Sequence, residues 1–567
     1  MFSRADELRG KIGIAALCLC AVLHGAAACA DTAEGAYDVV IRNGRVFDGN
    51  GNPWVHADIA IRDGRFVKIG KVTGKGVREI DAAGKIVSPG WIDMMDQSEE
   101  TLLKNGLAEN KVLQGVTSLI AGEAGTHMPA DQTSAFLGRL AAQGISVNFG
   151  TYYAAAQARE EVMGERAGEP SAAQLGSMKE RVEVAMRQGA LGVTSALIYP
   201  PSSFQSTDEL VELAKVAAVF GGRYASHVRG EGREVLEAVG EAIEIGERAK
   251  IPVEVFHLKV ADQAGWGVLM PKLGQMIDAA RDRGVDVAAD MYPYTGAGTG
   301  LDATVPTWVF ADGVQKGIER LKDPKVRVRL KAELERDSAD GWWNIVKASG
   351  GWQNVMLGAA YNEKYDKYQS QSLAAIAKEL RLHPADLAWD ILIQALPNRA
   401  SALYFMMNEE DVRTGLKFPW VSIGSDGGVA ERAGTLALDL PHPRAYGTHA
   451  RIIAEYVRNR GVLTLPDAVR KMSSWPATRM GLFDRGAIRE GLWADVVIFD
   501  YAAIQDRASW REPAQYPAGI EHVFVNGELV VSQGRHTGAR PGRILLGPGA
   551  SRGSARQALE PMLPHGL

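Results

Sequence analysis

The sequence predicts an α/β fold. We expect a TIM-type (β/α)8 barrel, a small β-sandwich domain built from both termini, and a helical insertion between barrel strands seven and eight. Three observations predict this. Eight apolar runs recur through the middle of the chain, most of them separated by stretches of helical periodicity. The two ends carry matching short strands joined by turn chemistry. Well over 100 residues separate the seventh apolar run, ending at Met291, from the eighth, starting at Trp420.

The eight runs are Ile86–Met95, Val116–Gly122, Ser146–Tyr152, Gly192–Ile198, Arg223–His227, Pro252–His257, Asp286–Met291 and Trp420–Gly424. Helices are expected between them, as at Met178–Arg187, Asp208–Phe220 and Glu231–Ala249. In the last of these Val235, Ala238, Val239, Ala242, Ile243 and Ile245 share one side. The end segments read YDVVIRNGRVFDGNG and ADIAIRDGRFVKIG, then ADVVIFD and IEHVFVNGELVV, with Asn43-Gly44, Asp63-Gly64 and Asn526-Gly527 as turns. Residues 31–85 and 486–548 would form the β-domain, and residues 86–485 the barrel. The insertion, about 301–415, would sit above the mouth as a lid. Residues 549–567 read as a loosely ordered tail.

Residues 1–30 read as an export signal: Arg4, Arg9 and Lys11, an apolar Ile12–Leu23, then Ala28-Cys29-Ala30. Cleavage after Ala30 would remove all three cysteines (Cys18, Cys20, Cys29) and suit an oxidising compartment such as a bacterial periplasm. A lipid anchor on Cys29 is the alternative. The apolar stretch is too short for a membrane span. A net charge of −5 and a pI near 6.2 give no sign of a nucleic-acid partner, and no obligate protein partner is evident.

The chemistry centres on YASHVRGEGREVLEAVGEAIEIGERAKIPVEVFHLK. It reads as strand, helix, strand, each strand ending at a histidine. A right-handed crossover sets such strands side by side, which would hold His227 and His257 together at the end where barrels place their chemistry. The alternative is two buried, hydrogen-bonded histidines. Arg229 and Lys259 each follow a histidine by two residues and are candidate anion-binding groups.

Segments across nearly the whole chain carry a family likeness: IVSPGWID, QGVTSLIAGEAGT, SALIYPPSS, YASHVRGEG, VEVFHLK, DMYPYTGAGTGL, SIGSDGG, HPRAYG and SSWPATRMGL among them. Together they resemble the D-aminoacylase (N-acyl-D-amino-acid deacylase) branch of the metal-dependent amidohydrolases. The resemblance implies that His227 and His257 are metal ligands. It implies that Asp426 takes the proton from the attacking water and passes it to the leaving amine. It also implies that Tyr199, Lys259 and Arg444 hold the substrate carboxylate. Tyr292 and Tyr294 line the pocket, assist the oxyanion, or simply pack.

The chain departs from the family pattern in two places. Met95 and Gln97 stand where a His-x-His pair is usual, and neither replaces an imidazole on zinc. Ala124 stands where a metal-bridging cysteine is usual, with Glu123 beside it. Glu123 is therefore expected as the third ligand, a solvated loop acid being the alternative. The expected site is one Zn2+ on Glu123, His227 and His257 with an open position. His127 and the other histidines are expected to be non-ligands.

The resulting expectation is a hydrolase cleaving an amide C–N bond, with N-acyl-D-amino acids as substrates. A hydrolase of cyclic amides or D-residue dipeptides is a rival. A binding protein without catalysis is another, motivated by the missing His-x-His.

Overall fold

The computed structural model describes residues 37–123, 128–337, 342–434 and 440–550. The expected export segment with its three cysteines, Ala124, His127 and most of the tail lie outside the described residues.

The two ends of the chain meet in one sheet. Tyr37–Val46 pairs antiparallel with Val55–Arg62 and parallel with both Gly76–Asp81 and Ile86–Pro89. Ile86–Pro89 pairs in turn with Val496–Phe499, which continues into Ile520–Val525 and Glu528–Ser532. With Arg65–Gly70 and Arg535–His536 at its two ends, this is one nine-stranded hydrogen-bonded sheet. Asp63-Gly64 and Asn526-Gly527 make the expected hairpins, with positive φ at all four residues. Asn43-Gly44 does not. It is a bulge inside Tyr37–Val46, where the register against Val55–Arg62 shifts.

The expected strand Ile86–Met95 is two strands. The apolar run is continuous, but the chain changes sheets at Gly90, whose N–H donates to Asp495 O at 2.8 Å. A side chain at Gly90 would collide with Thr117, which is why glycine serves there. Trp91–Asp96 then pairs in parallel with Val116–Ala121, and that with Asn148–Thr151. A second parallel run comprises Tyr153–Ala154, Gly192–Ala196, Arg223–His227, Val253–Val255, Val287–Met291 and Val421–Ile423. Asn148–Thr151 falls within the expected strand Ser146–Tyr152, and Tyr153–Ala154 lies just beyond it, so the chain passes from one parallel sheet to the other at Tyr152. Every residue of Trp91–Asp96, Val116–Ala121 and Val287–Met291 is buried, the signature of a parallel sheet covered on both faces. At the far edges, Asp426 N–H donates to Met95 O at 2.8 Å, beside a parallel bridge between Asp96 and Gly427.

The covering helices follow from their sequences. Ser171 and Gln174 form a reciprocal cap at the start of Ala172–Arg187. In Val235–Ala249 the apolar side picked out by periodicity is the buried side.

The segment between strands seven and eight is not wholly helical. Ala297–Gly300, Val355–Leu357 and Ser401–Tyr404 form a three-stranded antiparallel sheet. Helices including Val314–Lys322, Pro324–Leu334 and Pro384–Ala395 pack with it around a core of their own, into which Trp342 and Trp343 are buried.

Candidate metal centre

Strand pairing brings the two histidines together. Arg223–His227 lies in register beside Val253–Val255, and His257 follows two residues beyond that strand. The imidazole centroids are 4.5 Å apart, with ring planes at 83°. His257 has a φ of 35°, unusual outside glycine. Its N–H is held by Asp290 Oδ1 at 2.9 Å.

Glu123 arrives from the second strand through a turn that alternation alone would not allow. Gly122, at φ 108°, reverses the chain just past Ala121, and a side chain there would strike Tyr152 N at 2.7 Å. Glu123 Oε1 then lies 2.7 Å from His227 Nδ1 and 2.9 Å from His257 Nε2. Burial alone would raise the Glu123 carboxyl, but the two imidazoles hold it below the ordinary carboxylate range.

Asp426 closes the group from the eighth strand. It too has a positive φ, 51°. Its Oδ1 accepts from Gln97 Nε2 at 2.7 Å, and Gln97 Nε2 also donates to Glu123 Oε2 at 2.9 Å. Arg444 NH1 lies 2.7 Å from Asp426 Oδ2. Burial pushes the Asp426 carboxyl above its ordinary range; Arg444 and His257 pull it back, and Glu123 adds to the rise.

Lys259 Nζ lies 2.6 Å from His257 Nδ1 and 2.5 Å from Glu231 Oε1. The same Glu231 Oε1 lies 3.1 Å from His257 Nδ1, so that nitrogen faces a carboxylate acceptor as well as the ammonium. Burial and Lys259 oppose a charge on His257, yet Asp426, Glu231 and Glu123 outweigh them and push it up to about 10. Glu231 itself is buried, which would raise its carboxyl. Lys259 and the two histidines instead hold it well below the usual range.

The donor set suits a divalent cation. Glu123, His227 and His257 offer one oxygen and two nitrogens, all within 4.8 Å of one another. His227 Nε2, the ring nitrogen not directed at Glu123, is buried without a hydrogen-bond partner, 3.6 Å from Glu231 Oε1. Tetrahedral zinc ligands at about 2.0–2.2 Å from the ion stand roughly 3.4 Å apart. The present donor separations are shorter by about half an ångström, so the three side chains must spread slightly to hold an ion.

The other expected residues divide. The Tyr199 ring packs edge-on to His227 at 5.5 Å, and its hydroxyl pairs with Thr299 Oγ1 at 2.7 Å. Tyr292 lies under Arg444, 4.8 Å from the guanidinium, and its ring is 6.4 Å from His257. Tyr294 instead donates to Asp506 at 2.9 Å. Arg229 turns away from the centre. Its guanidinium is taken up by Glu241 at 2.8 and 3.0 Å and by the carbonyls of Ser203 and Gln205. An anion-binding role for Arg229 therefore has no free donor geometry to rest on. The Met95 side chain is buried in an apolar cluster.

Two contributors were not evident from sequence. Gln97 marks a lost ligand there but is a clamp here. Lys111 is fully buried, with its Nζ 2.9 Å from Asp93, 2.7 Å from Asp96 and 2.9 Å from Ser425 Oγ, and it also contacts Gly427 O. Ser425 in turn donates to Asp93 through both N–H and hydroxyl. Asp426 is thus flanked on both sides by residues tied to one buried ammonium.

A centre of two imidazoles and a carboxylate at strand ends, with a separate buried aspartate beside it, agrees with the likeness seen in sequence. A model of the amidohydrolase family matches residues 78–531. The chain belongs to the amidohydrolase family. Within that family, N-acyl-D-glutamate deacylase of Alcaligenes xylosoxydans xylosoxydans is 33% identical over 530 residues, covering 90% of this chain and 96% of the relative. The solved N-acyl-D-glutamate deacylase of Bordetella bronchiseptica, complexed with zinc and a phosphonate mimic of the tetrahedral intermediate, superposes with a TM-score of 0.75 at 28% identity. It covers 90% of this amidohydrolase and 100% of its own chain. A D-aminoacylase structure described as having a binuclear metal centre gives a TM-score of 0.74 at 28% identity, with the same coverage.

Proposed function

We propose that this amidohydrolase hydrolyses the amide bond of N-acyl-D-amino acids, using one divalent ion, most simply zinc, on Glu123, His227 and His257. The observation that carries the reading is the convergence of Glu123 Oε1, His227 Nδ1 and His257 Nε2 beside a separate buried acid, Asp426. An ion held there lowers the pKa of a water and polarises the acyl carbonyl.

The protein's own groups do the rest. Asp426 accepts a proton from the attacking water and delivers it to the leaving nitrogen, so a carboxylate and an amine are released. Gln97 fixes the Asp426 carboxylate toward Glu123. With Nε2 of His257 given to the ion, Nδ1 carries the ring proton toward Glu231 Oε1 at 3.1 Å, which fixes the ring as outer partners of ligand histidines do, and Lys259 holds that carboxylate. Arg444 faces Asp426 and can take the substrate carboxylate in a bidentate grip. Tyr199 walls the same space beside His227.

On this reading the two parallel runs close into one (β/α)8 barrel across the Asp96–Gly427 bridge, and the segment about 301–415 covers its mouth. We also propose export directed by residues 1–30, which leaves the enzyme in the periplasm. No helix among the described residues is long and apolar enough to cross a membrane.

The test is a hydrolysis screen of N-acyl-D- against N-acyl-L-amino acids, run with elemental analysis of the same preparation. Turnover of D-substrates with one tightly held metal per chain is the expected result. Cyclic amides or D-dipeptides cleaved in place of N-acyl-D-amino acids would move the substrate assignment. A fully active metal-free protein would overturn it.

A further inference from the structure

We infer that the site selects N-acyl amino acids by a bulky apolar group, seated in a cavity of about 280 Å³ between the inserted segment and the strand-four loop. The inference rests on the amide hydrolase reading above and names the kind of substrate that reading leaves open.

The cavity adjoins the metal centre through one side chain. Tyr199 lines it, and the ring of Tyr199 stands edge-on to His227 at 5.5 Å. A substrate whose amide lies over Glu123, His227 and His257 therefore has the cavity as its neighbour on the far side of that ring. The walls are apolar. Ile198 comes from the strand-four loop, and Val305, Phe310, Ile318, Trp342 and Leu392 come from the inserted segment. Its volume is close to the roughly 300 Å³ at which small-molecule pockets begin, enough for one side chain or a short acyl chain.

Its charges argue against an acidic group. Glu160, Glu165 and Asp302 line the cavity with a single cation, Arg399. Arg399 is already gripped by Asp302 at 2.8 and 3.0 Å and lies over the Tyr199 ring at 5.2 Å. A carboxylate entering here would lose its hydration among three acids and one committed guanidinium. An apolar group loses nothing and removes surface from water. The chain thus differs in preference from the N-acyl-D-glutamate deacylase to which it is 33% identical.

The apolar group is either the acyl chain or the amino-acid side chain, and two substrate series separate them. The metal-loaded enzyme is assayed on D-alanine carrying acetyl, butyryl or hexanoyl groups, and on N-acetyl derivatives of D-alanine, D-leucine, D-phenylalanine and D-glutamate. In one series kcat/KM should rise about fourfold per methylene until the cavity is full. N-acetyl-D-glutamate should fall at least about tenfold below N-acetyl-D-leucine. Ile318→Trp fills the cavity and should abolish the gain for bulky substrates while N-acetyl-D-alanine turns over as before. That small-substrate rate also reports that the variant is folded. If Ile318→Trp does not fold, Val305→Phe fills the cavity from another residue and is read the same way. Two flat series, a preference for D-glutamate, or bulky and small substrates slowed alike in a folded filling variant would each overturn the inference. In all three cases the hydrolase reading stands. Hydrolysis of no amide at all would remove that reading, and the inference with it.

Discussion

Gln97 Nε2 stands 2.7 Å from Asp426 Oδ1 while its second hydrogen points to Glu123 Oε2 at 2.9 Å. One side-chain amide thus holds two carboxylates that would otherwise repel across the centre. Gln97→Met removes both hydrogen bonds and keeps the size. Groups that orient a metal ligand or its partner acid typically contribute about 10- to 100-fold in affinity or activity. The variant should lose about that much in kcat with KM changed less. Wild-type kcat in Gln97→Met would show that the clamp has no role in positioning Asp426.

Lys111 is buried against two aspartates and supports the loop on either side of Asp426. Breaking a buried pair by removing one partner typically costs about 3–5 kcal/mol. Lys111→Met leaves Asp93 and Asp96 with an uncompensated charge, so its unfolding midpoint should drop by an amount of that order. A midpoint equal to wild type in thermal or urea melts would contradict this.

His449 predicts a pH dependence of stability. Its ring is fully buried and stacked beside Trp91, and burial lowers it to about 4; Asp93 raises and Lys111 further lowers it. The folded value lies below the ordinary one near 6.5. Between these values the unfolded chain binds a proton that the folded chain refuses, so stability falls as pH falls from about 6.5 to 4. The loss is about 3 kcal/mol at full extent. His449→Gln should flatten that part of a stability-versus-pH curve. A variant curve as steep as wild type would locate the acid sensitivity elsewhere.

Much of the fold was legible because strand burial leaves an unambiguous mark. His227 and His257 could be placed together since each ends an apolar run of a βαβ unit, and register does the rest. Ile86–Met95 misled because an apolar run says nothing about which sheet it joins, and Gly90 switches sheets without interrupting it. The strand Val355–Leu357 is only three residues long, too short for alternation to register. Arg229 and Lys259 occupy equivalent positions after their histidines, yet Glu241 on the following helix captures one and Glu231 on the connecting loop the other. Gln97 could be read only as a missing imidazole, because its partners come from strands two and eight.

The central claim is that Asp426 moves the proton while Glu123, His227 and His257 hold the ion. The most direct measurement is kcat, KM and metal content for Asp426→Asn and His257→Ala on whichever amide the screen identifies. A positioned acid–base group typically contributes about a hundredfold to ten-thousandfold in rate. Asp426→Asn should lose that much in kcat with KM changed far less and the metal retained. His257→Ala should lose metal and activity together. Asp426→Asn retaining more than about a tenth of wild-type kcat would contradict the account.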